Sequence, residues 1–262
     1  MIDFEETEFQ LRTEKVQKHM FENNVDAILL CTEPEVRYFT GFRSLFWQSP
    51  TRPWFVVIPK NGKPIAIIPD IGRDLMTRTW IDDIRTWPSP RREDEGISLL
   101  VEVLEGAKNI GILMGEEASL RMPLEDFEKL KLKIDGTFSD CSKIIKKVRL
   151  IKSEKEILIL KNICSVANRS FDRANRLFFS GQPLNEAFRE FKIALLEEGA
   201  EEVPYLVGGA GRDGYVDVIS PPSSKPLENG DILMLDTGST LKGYFCDDLI
   251  IKRYCKYIGI EI

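Results

Sequence analysis

The chain has 262 residues, 43% of them hydrophobic and 30% charged, with a formal net charge of -6, which is enough apolar material for one or two buried cores. Its charges are interspersed in sign rather than gathered in a basic block, which argues against nucleic acid or an anionic membrane surface as a partner. Apolar runs such as DAILLC, WFVVIP and DILML are far shorter than the roughly 20 residues of a bilayer-spanning helix, so no membrane association is expected.

The N-terminus, MIDFEETEFQ, is acidic where a secretory signal would be basic and then apolar, so a cytoplasmic protein is expected. Cys31, Cys141, Cys164, Cys246 and Cys255 are odd in number and lack CxxC spacing, which reads as free thiols in a reducing compartment. Phe9, Val16 and Met20 form an apolar stripe on a charged segment, predicting an amphipathic helix over residues 5–23. DAILL then reads as a buried strand. WFVVIP and PIAIIP, separated by Lys60-Asn61-Gly62-Lys63, predict a hairpin closed by a type I′ turn, since Asn-Gly accepts positive φ. A helix near Arg73 to Trp80, a strand at DDIRTW, a helix around Glu95 to Leu104 and a strand at NIGILM follow. Together they predict a mixed α/β domain.

KIIKKVR (Lys143 to Arg149) reads as a solvated helix end, and Ser153 with Glu156 as a helix N-cap and its glutamate partner. The domain boundary is placed near residue 150. Two amphipathic helices are predicted beyond it, Glu154 to about Phe179 and Leu184 to Glu198, the second ended by Gly199. Short β signals, the Gly-rich VGGAGRDG, the loop SPPSSKP and two final strands complete the chain.

Those last strands, in LDTGSTLKGYFCDD, set Asp236 and Asp247 apart by a turn. A hairpin closed around Leu241 and Lys242 would place the two aspartates directly opposite each other, where like charges destabilise a strand pair unless compensated. A divalent cation such as Mn²⁺, Mg²⁺ or Zn²⁺ would compensate them, because carboxylate oxygens suit hard and borderline cations. The alternative reading assigns both residues to turn chemistry, or to opposite faces of an asymmetric loop. Leu-Lys is a poor two-residue turn, which extends the expected loop to Ser239 and Thr240.

GDILMLDTG followed by GYFCD resembles the first metal-ligand segment of the M24 "pita-bread" hydrolase family, in its aminopeptidase P, prolidase and creatinase branch. SPPSSKPLENGD, RLIKSEKEI and VRYFTGF are similar to the family's loop before that strand, its entry into the catalytic domain and its N-terminal Tyr-Leu-Thr-Gly-Phe signature. The resemblance implies an α/β (α+β) protein with a creatinase-like mixed-sheet domain over residues 1–149 and the first half of a pita-bread domain over 150–262. It further implies an Xaa-Pro peptidase or related C–N hydrolase acting on a peptide or small amide, a divalent metal (Mn, Co or Zn) held by Asp236 and Asp247, and a homodimer.

Several positions depart from the family pattern. The family's remaining ligands, one histidine and two glutamates, belong to the second half of its catalytic domain, so the chain is expected to be truncated and weakly active or inactive. His19, the single histidine, lies on the first predicted helix. Val218, Ile219 and Ser220 stand where many members carry a substrate-side histidine, and Ile250 stands where an arginine is usual, with Arg253 three residues later. The tail after Asp247 reads as a truncated or out-of-frame ending. A different class of function also fits these departures: a non-catalytic relative acting through dimerisation or partner binding.

Overall fold

The computed structural model describes residues 3–49, 52–212 and 217–253. Cys255 and the expectation for the tail past Arg253 lie outside the described residues. The chain divides into two compact units, Met1–Ile151 and Lys152–Ile262.

The first unit begins with α1 (Glu6–Glu22), whose Phe9, Val16 and Met20 are all buried, followed by β1 (Ala27–Leu30) and α2 (Glu33–Thr40). The VRYFTGF stretch is therefore mostly helix. Gly41, at φ 76°, ends it in the left-handed conformation that glycine favours. Then come β2 (Phe55–Pro59), β3 (Ile65–Pro69), α3 (Arg73–Met76), β4 (Ile84–Trp87), α4 (Ile97–Val103), β5 (Asn109–Ile112), α5 (Leu124–Lys133), β6 (Thr137–Asp140) and α6 (Ser142–Leu150). The six strands form one mixed sheet in the order β4-β3-β2-β1-β5-β6. β1 and β2 pair antiparallel, as do β2 and β3, while the remaining pairs are parallel. Every residue of β1 is buried, as befits a central strand covered on both faces. On one face Leu29, Phe55, Val57, Ile67 and Ile110 pack with Leu100 of α4 and Leu130 of α5.

The β2–β3 hairpin forms, but not with the expected turn. Val57 pairs with Ile65, so the connection is wider than two residues, and Gly62 has positive φ (88°) while Asn61 does not. Gln17 of α1 explains the wider loop. Its Nε2 donates to the carbonyls of Pro59 at 2.9 Å and Gly62 at 2.8 Å, holding the loop against the helix.

In the second unit α7 (Glu154–Asp172) starts at a capping box, in which Ser153 accepts from the Glu156 N–H while the Glu156 side chain accepts from the Ser153 N–H. The single helix expected up to Phe179 is interrupted, and α8 (Ala174–Leu177) follows α7. Phe171 and Phe178 both pack on Phe191, at 4.7 and 6.0 Å between ring centroids, which draws the chain after α7 toward the core. α9 (Leu184–Glu197) ends at Gly199 with φ 113°. Its end is tied to that of α7 by Arg169 and Arg173, which pair with Glu198 and Glu197.

β7 (Glu202–Gly211), β8 (Ile232–Leu241) and β9 (Tyr244–Arg253) form an antiparallel sheet in that order. The Gly-rich VGGAG is the end of β7. The sheet buries Leu206, Leu233, Leu235 and Cys246 against Ile163 and Phe171 of α7 and Phe188, Phe191 and Leu195 of α9. Because strand side chains alternate, Asp236 stands on the face opposite Leu235.

Candidate functional site

The β8–β9 turn fixes the geometry of the aspartate pair. Leu241 pairs with Tyr244, leaving Lys242 and Gly243 as the two turn residues, both at positive φ (51° and 72°). That is the backbone a tight hairpin requires. The expected closure at Leu241-Lys242 moves on by one residue, which shifts the cross-strand pairing by two, since Gly243 supplies the left-handed conformation that neither of those residues favours. Asp236 consequently pairs with Leu249, and Asp247 pairs with Gly238. A shift of two preserves the face. Asp236 and Asp247 are therefore diagonal neighbours on one face, not directly opposed partners.

A third side chain joins them. Tyr205 of β7 pairs with Gly238, so Tyr205, Gly238 and Asp247 form one row across the three strands. The Tyr205 hydroxyl lies 3.1 Å from Asp236 Oδ1 and 2.6 Å from Asp247 Oδ1. A phenol has a single proton to donate, so it can satisfy the two carboxylates only by sharing or alternating. Burial, then its hydrogen bonds to Asp247 and Asp236, push the Tyr205 phenol well above the usual tyrosine range.

Gly238 makes the row possible. A Cβ placed there would fall 1.9 Å from Phe245 Cζ and 2.6 Å from Tyr205 Cε1, so the missing side chain is the space that the two rings occupy. The rings lie 5.9 Å apart, and Phe245 remains 42% exposed beside the acidic pair. From the opposite face, the buried Thr237 hydroxyl donates to the Tyr205 carbonyl at 3.1 Å and pins its backbone. At the turn, the Tyr244 hydroxyl donates to the buried Glu156 at 2.8 Å, tying the start of β9 to the start of α7.

Asp236, Asp247 and Tyr205 supply fewer oxygens than the roughly six that a hard cation takes up. Among the described residues no group of three or more His, Cys, Asp or Glu side chains is placed to hold a metal. The donor set suits part of a coordination shell, not a whole one. His19 lies on α1 in the first unit, 2.8 Å from Glu22. Val218, Ile219 and Ser220 lie beside a turn in which Asp217 accepts the N–H groups of Ile219 and Ser220, both at 3.1 Å. Ile250 and Arg253 lie on β9.

Sequence reasoning missed Tyr205. No spacing relates it to the aspartates, and only the β7–β8 register brings it into their row.

Residues 12–151 match the family described as the creatinase/prolidase N-terminal domain. The chain is 25% identical over 239 residues to the Xaa-Pro dipeptidase of Pyrococcus horikoshii, covering 90% of this chain and 62% of that protein. It superimposes on the crystal structure of the prolidase from Pyrococcus horikoshii OT3 with a TM-score of 0.75 at 23% identity, covering 92% of this chain and 64% of that one. The dipeptidase PepE structure from Mycobacterium ulcerans gives a TM-score of 0.79 at 18% identity, with 95% and 65% covered. The chain thus has the fold of these proteins and spans less than two thirds of their length.

Proposed function

From the premise that this chain belongs to the creatinase/prolidase N-terminal domain family, we propose that it is a hydrolase of the Xaa-Pro peptidase kind, with Asp236 and Asp247 as its carboxylate metal ligands. The observation that carries this reading is the pair itself: two aspartates on one face of the β8–β9 hairpin, both touched by one phenol. In this reading unit Met1–Ile151 is the creatinase-like domain, and unit Lys152–Ile262 corresponds to the first half of a pita-bread domain. Similarity to named dipeptidases and prolidases favours it over a non-catalytic role.

A bound Mn²⁺, Co²⁺ or Zn²⁺ would supply a Lewis acid and a water acidic enough to attack a peptide carbonyl. The chain's own residues do something narrower. Asp236 and Asp247 present acceptor oxygens on one face of the hairpin, and the single Tyr205 O–H lies between them, donated to one or shared by both. Phe245 and the Tyr205 ring provide an apolar wall beside the acid. No hydrolytic step is assigned to this partial set of donors.

The test is titration of the purified chain with Mn²⁺, followed by electron paramagnetic resonance, alongside an assay of Xaa-Pro dipeptide hydrolysis. Two carboxylates leave most of a cation's shell to water, so weak binding and slow or absent turnover are expected of this chain alone. Loss of binding in both Asp236→Asn and Asp247→Asn supports the assignment. Unchanged binding in both variants overturns it.

A further inference from the structure

Two asparagines in the chain stand directly before a glycine, in Asn61-Gly62 and in Asn229-Gly230. In such a pair the glycine nitrogen can close on the side-chain amide carbon of the asparagine, because no Cβ blocks the backbone conformations that bring them together. The sequence makes the two pairs alike. The fold does not.

Asn61 and Gly62 lie in the loop between β2 and β3, and both are exposed. The loop is held at its flanks: the Lys60 N–H donates to the Asp26 carbonyl at 3.0 Å, and Gln17 Nε2 donates to the carbonyls of Pro59 and Gly62. Between these anchors, and among the described residues, neither the Asn61 side chain nor the Gly62 N–H has a hydrogen-bond partner. A Cβ built on Gly62 would meet nothing within 4 Å, so the space around this glycine is open.

Asn229 and Gly230 instead form the centre of a turn closed on both sides. The Asp231 N–H donates to the Glu228 carbonyl at 3.1 Å, and the Asp231 side chain accepts the Glu228 N–H at 2.8 Å. Asp231 is 3% exposed, which anchors the turn in the protein interior. The Asn229-Gly230 peptide cannot swing without breaking these bonds.

We propose that Asn61 is a site of spontaneous deamidation in the folded protein, that Asn229 is protected, and that Gln17 governs the rate at Asn61. The Gly62 nitrogen attacks Asn61 Cγ and gives its proton to solvent as the N–Cγ bond forms. The Cγ–Nδ2 bond then breaks, and the nitrogen leaves as ammonia after taking a proton from water. A cyclic succinimide remains. Water adds to one of its two carbonyls: opening at Cγ gives aspartate, and opening at the main-chain carbonyl gives isoaspartate, whose backbone runs through Cβ. The net change consumes water and releases ammonia, with nothing oxidised or reduced. The reaction is unimolecular in the protein, so its rate depends on how often the two atoms meet in an attacking geometry. Gln17 opposes that meeting because it fixes the Gly62 carbonyl, and with it the residue whose nitrogen must turn toward Asn61. Isoaspartate lengthens the backbone between the two carbonyls that Gln17 holds, so the product loop no longer fits its grip on α1.

The full chain would be incubated in mildly alkaline buffer and sampled over time, with the peptides carrying Asn61 and Asn229 followed by chromatography and mass spectrometry after trypsin digestion. The Asn61 peptide should gain the mass difference between an amide and an acid and separate into two isomers, while the Asn229 peptide stays unchanged. In urea the fold no longer distinguishes the sites, and the two rates should converge. Gln17→Ala should speed conversion at Asn61 several-fold and leave Asn229 unmoved. If that variant instead speeds both sites it has unfolded, and the wild-type ratio of the two rates in native buffer decides. The proposal is overturned if native wild-type protein converts Asn229 as fast as Asn61, if Asn61 stays intact, or if folded Gln17→Ala reacts at the wild-type rate.

Discussion

At the scale of single residues, the decisive contact is the Tyr205 hydroxyl between two carboxylates. Its consequence for stability follows from which protonation state the fold prefers. The phenol's pKa is raised in the folded protein, so the fold favours the neutral form, and the associated stability is fully present below the unfolded tyrosine value of about 10. It is lost as pH rises toward the higher folded value, where the neutral phenol must give up its proton beside two anions. Tyr205→Phe should therefore lose less stability than the wild type between neutral and strongly alkaline pH. Thermal melts across that range, with a 295 nm titration that counts the tyrosines ionising last, measure it directly. A wild-type chain and a phenylalanine variant with parallel pH profiles would remove the phenol from the network.

At the scale of elements, much of the architecture was legible where periodicity and caps agree. The α1 stripe, the Ser153–Glu156 capping box and the Gly199 stop all lie in local sequence, within one turn of the feature they determine. What was not legible depended on contacts distant in sequence. The β2–β3 loop is wider than Asn-Gly predicts because Gln17, over 40 residues away along the chain, grips two of its carbonyls. The aspartate pair was legible as residues on one face but not in its register, because the choice between Leu241-Lys242 and Lys242-Gly243 decides the partner. Tyr205 became visible only once the β7–β8 pairing was known. The turn offers a direct check, since Gly243 at φ 72° is a position where a branched side chain is strained by about 1–2 kcal/mol. Gly243→Val should lower stability by that order, as read from urea unfolding. Gly238→Ala should act differently: its Cβ collides with the Phe245 and Tyr205 rings and must displace one of them. That variant should weaken Mn²⁺ binding along with stability, whereas Gly243→Ala, at a turn position outside the Tyr205–Gly238–Asp247 row, should affect chiefly stability.

At the scale of the whole molecule, the two units carry separate cores and separate optical signatures. Trp47, Trp54, Trp80 and Trp87 all belong to Met1–Ile151, whereas Tyr205, Asp236 and Asp247 belong to Lys152–Ile262. Leu150 and Ile151, at the junction, are 74% and 75% exposed, so the backbone there is open to a protease. Trypsin should cut first between Arg149 and Lys155, releasing an N-terminal fragment that retains the native tryptophan emission. A ligand that binds only the folded form raises the melting temperature of the unit that holds it. If the units unfold independently, Mn²⁺ should shift the far-ultraviolet dichroism transition of the second unit and leave the tryptophan transition unmoved. A single coincident transition, moved as a whole by Mn²⁺, would mean that the units unfold cooperatively and that the division after Ile151 is not a thermodynamic one.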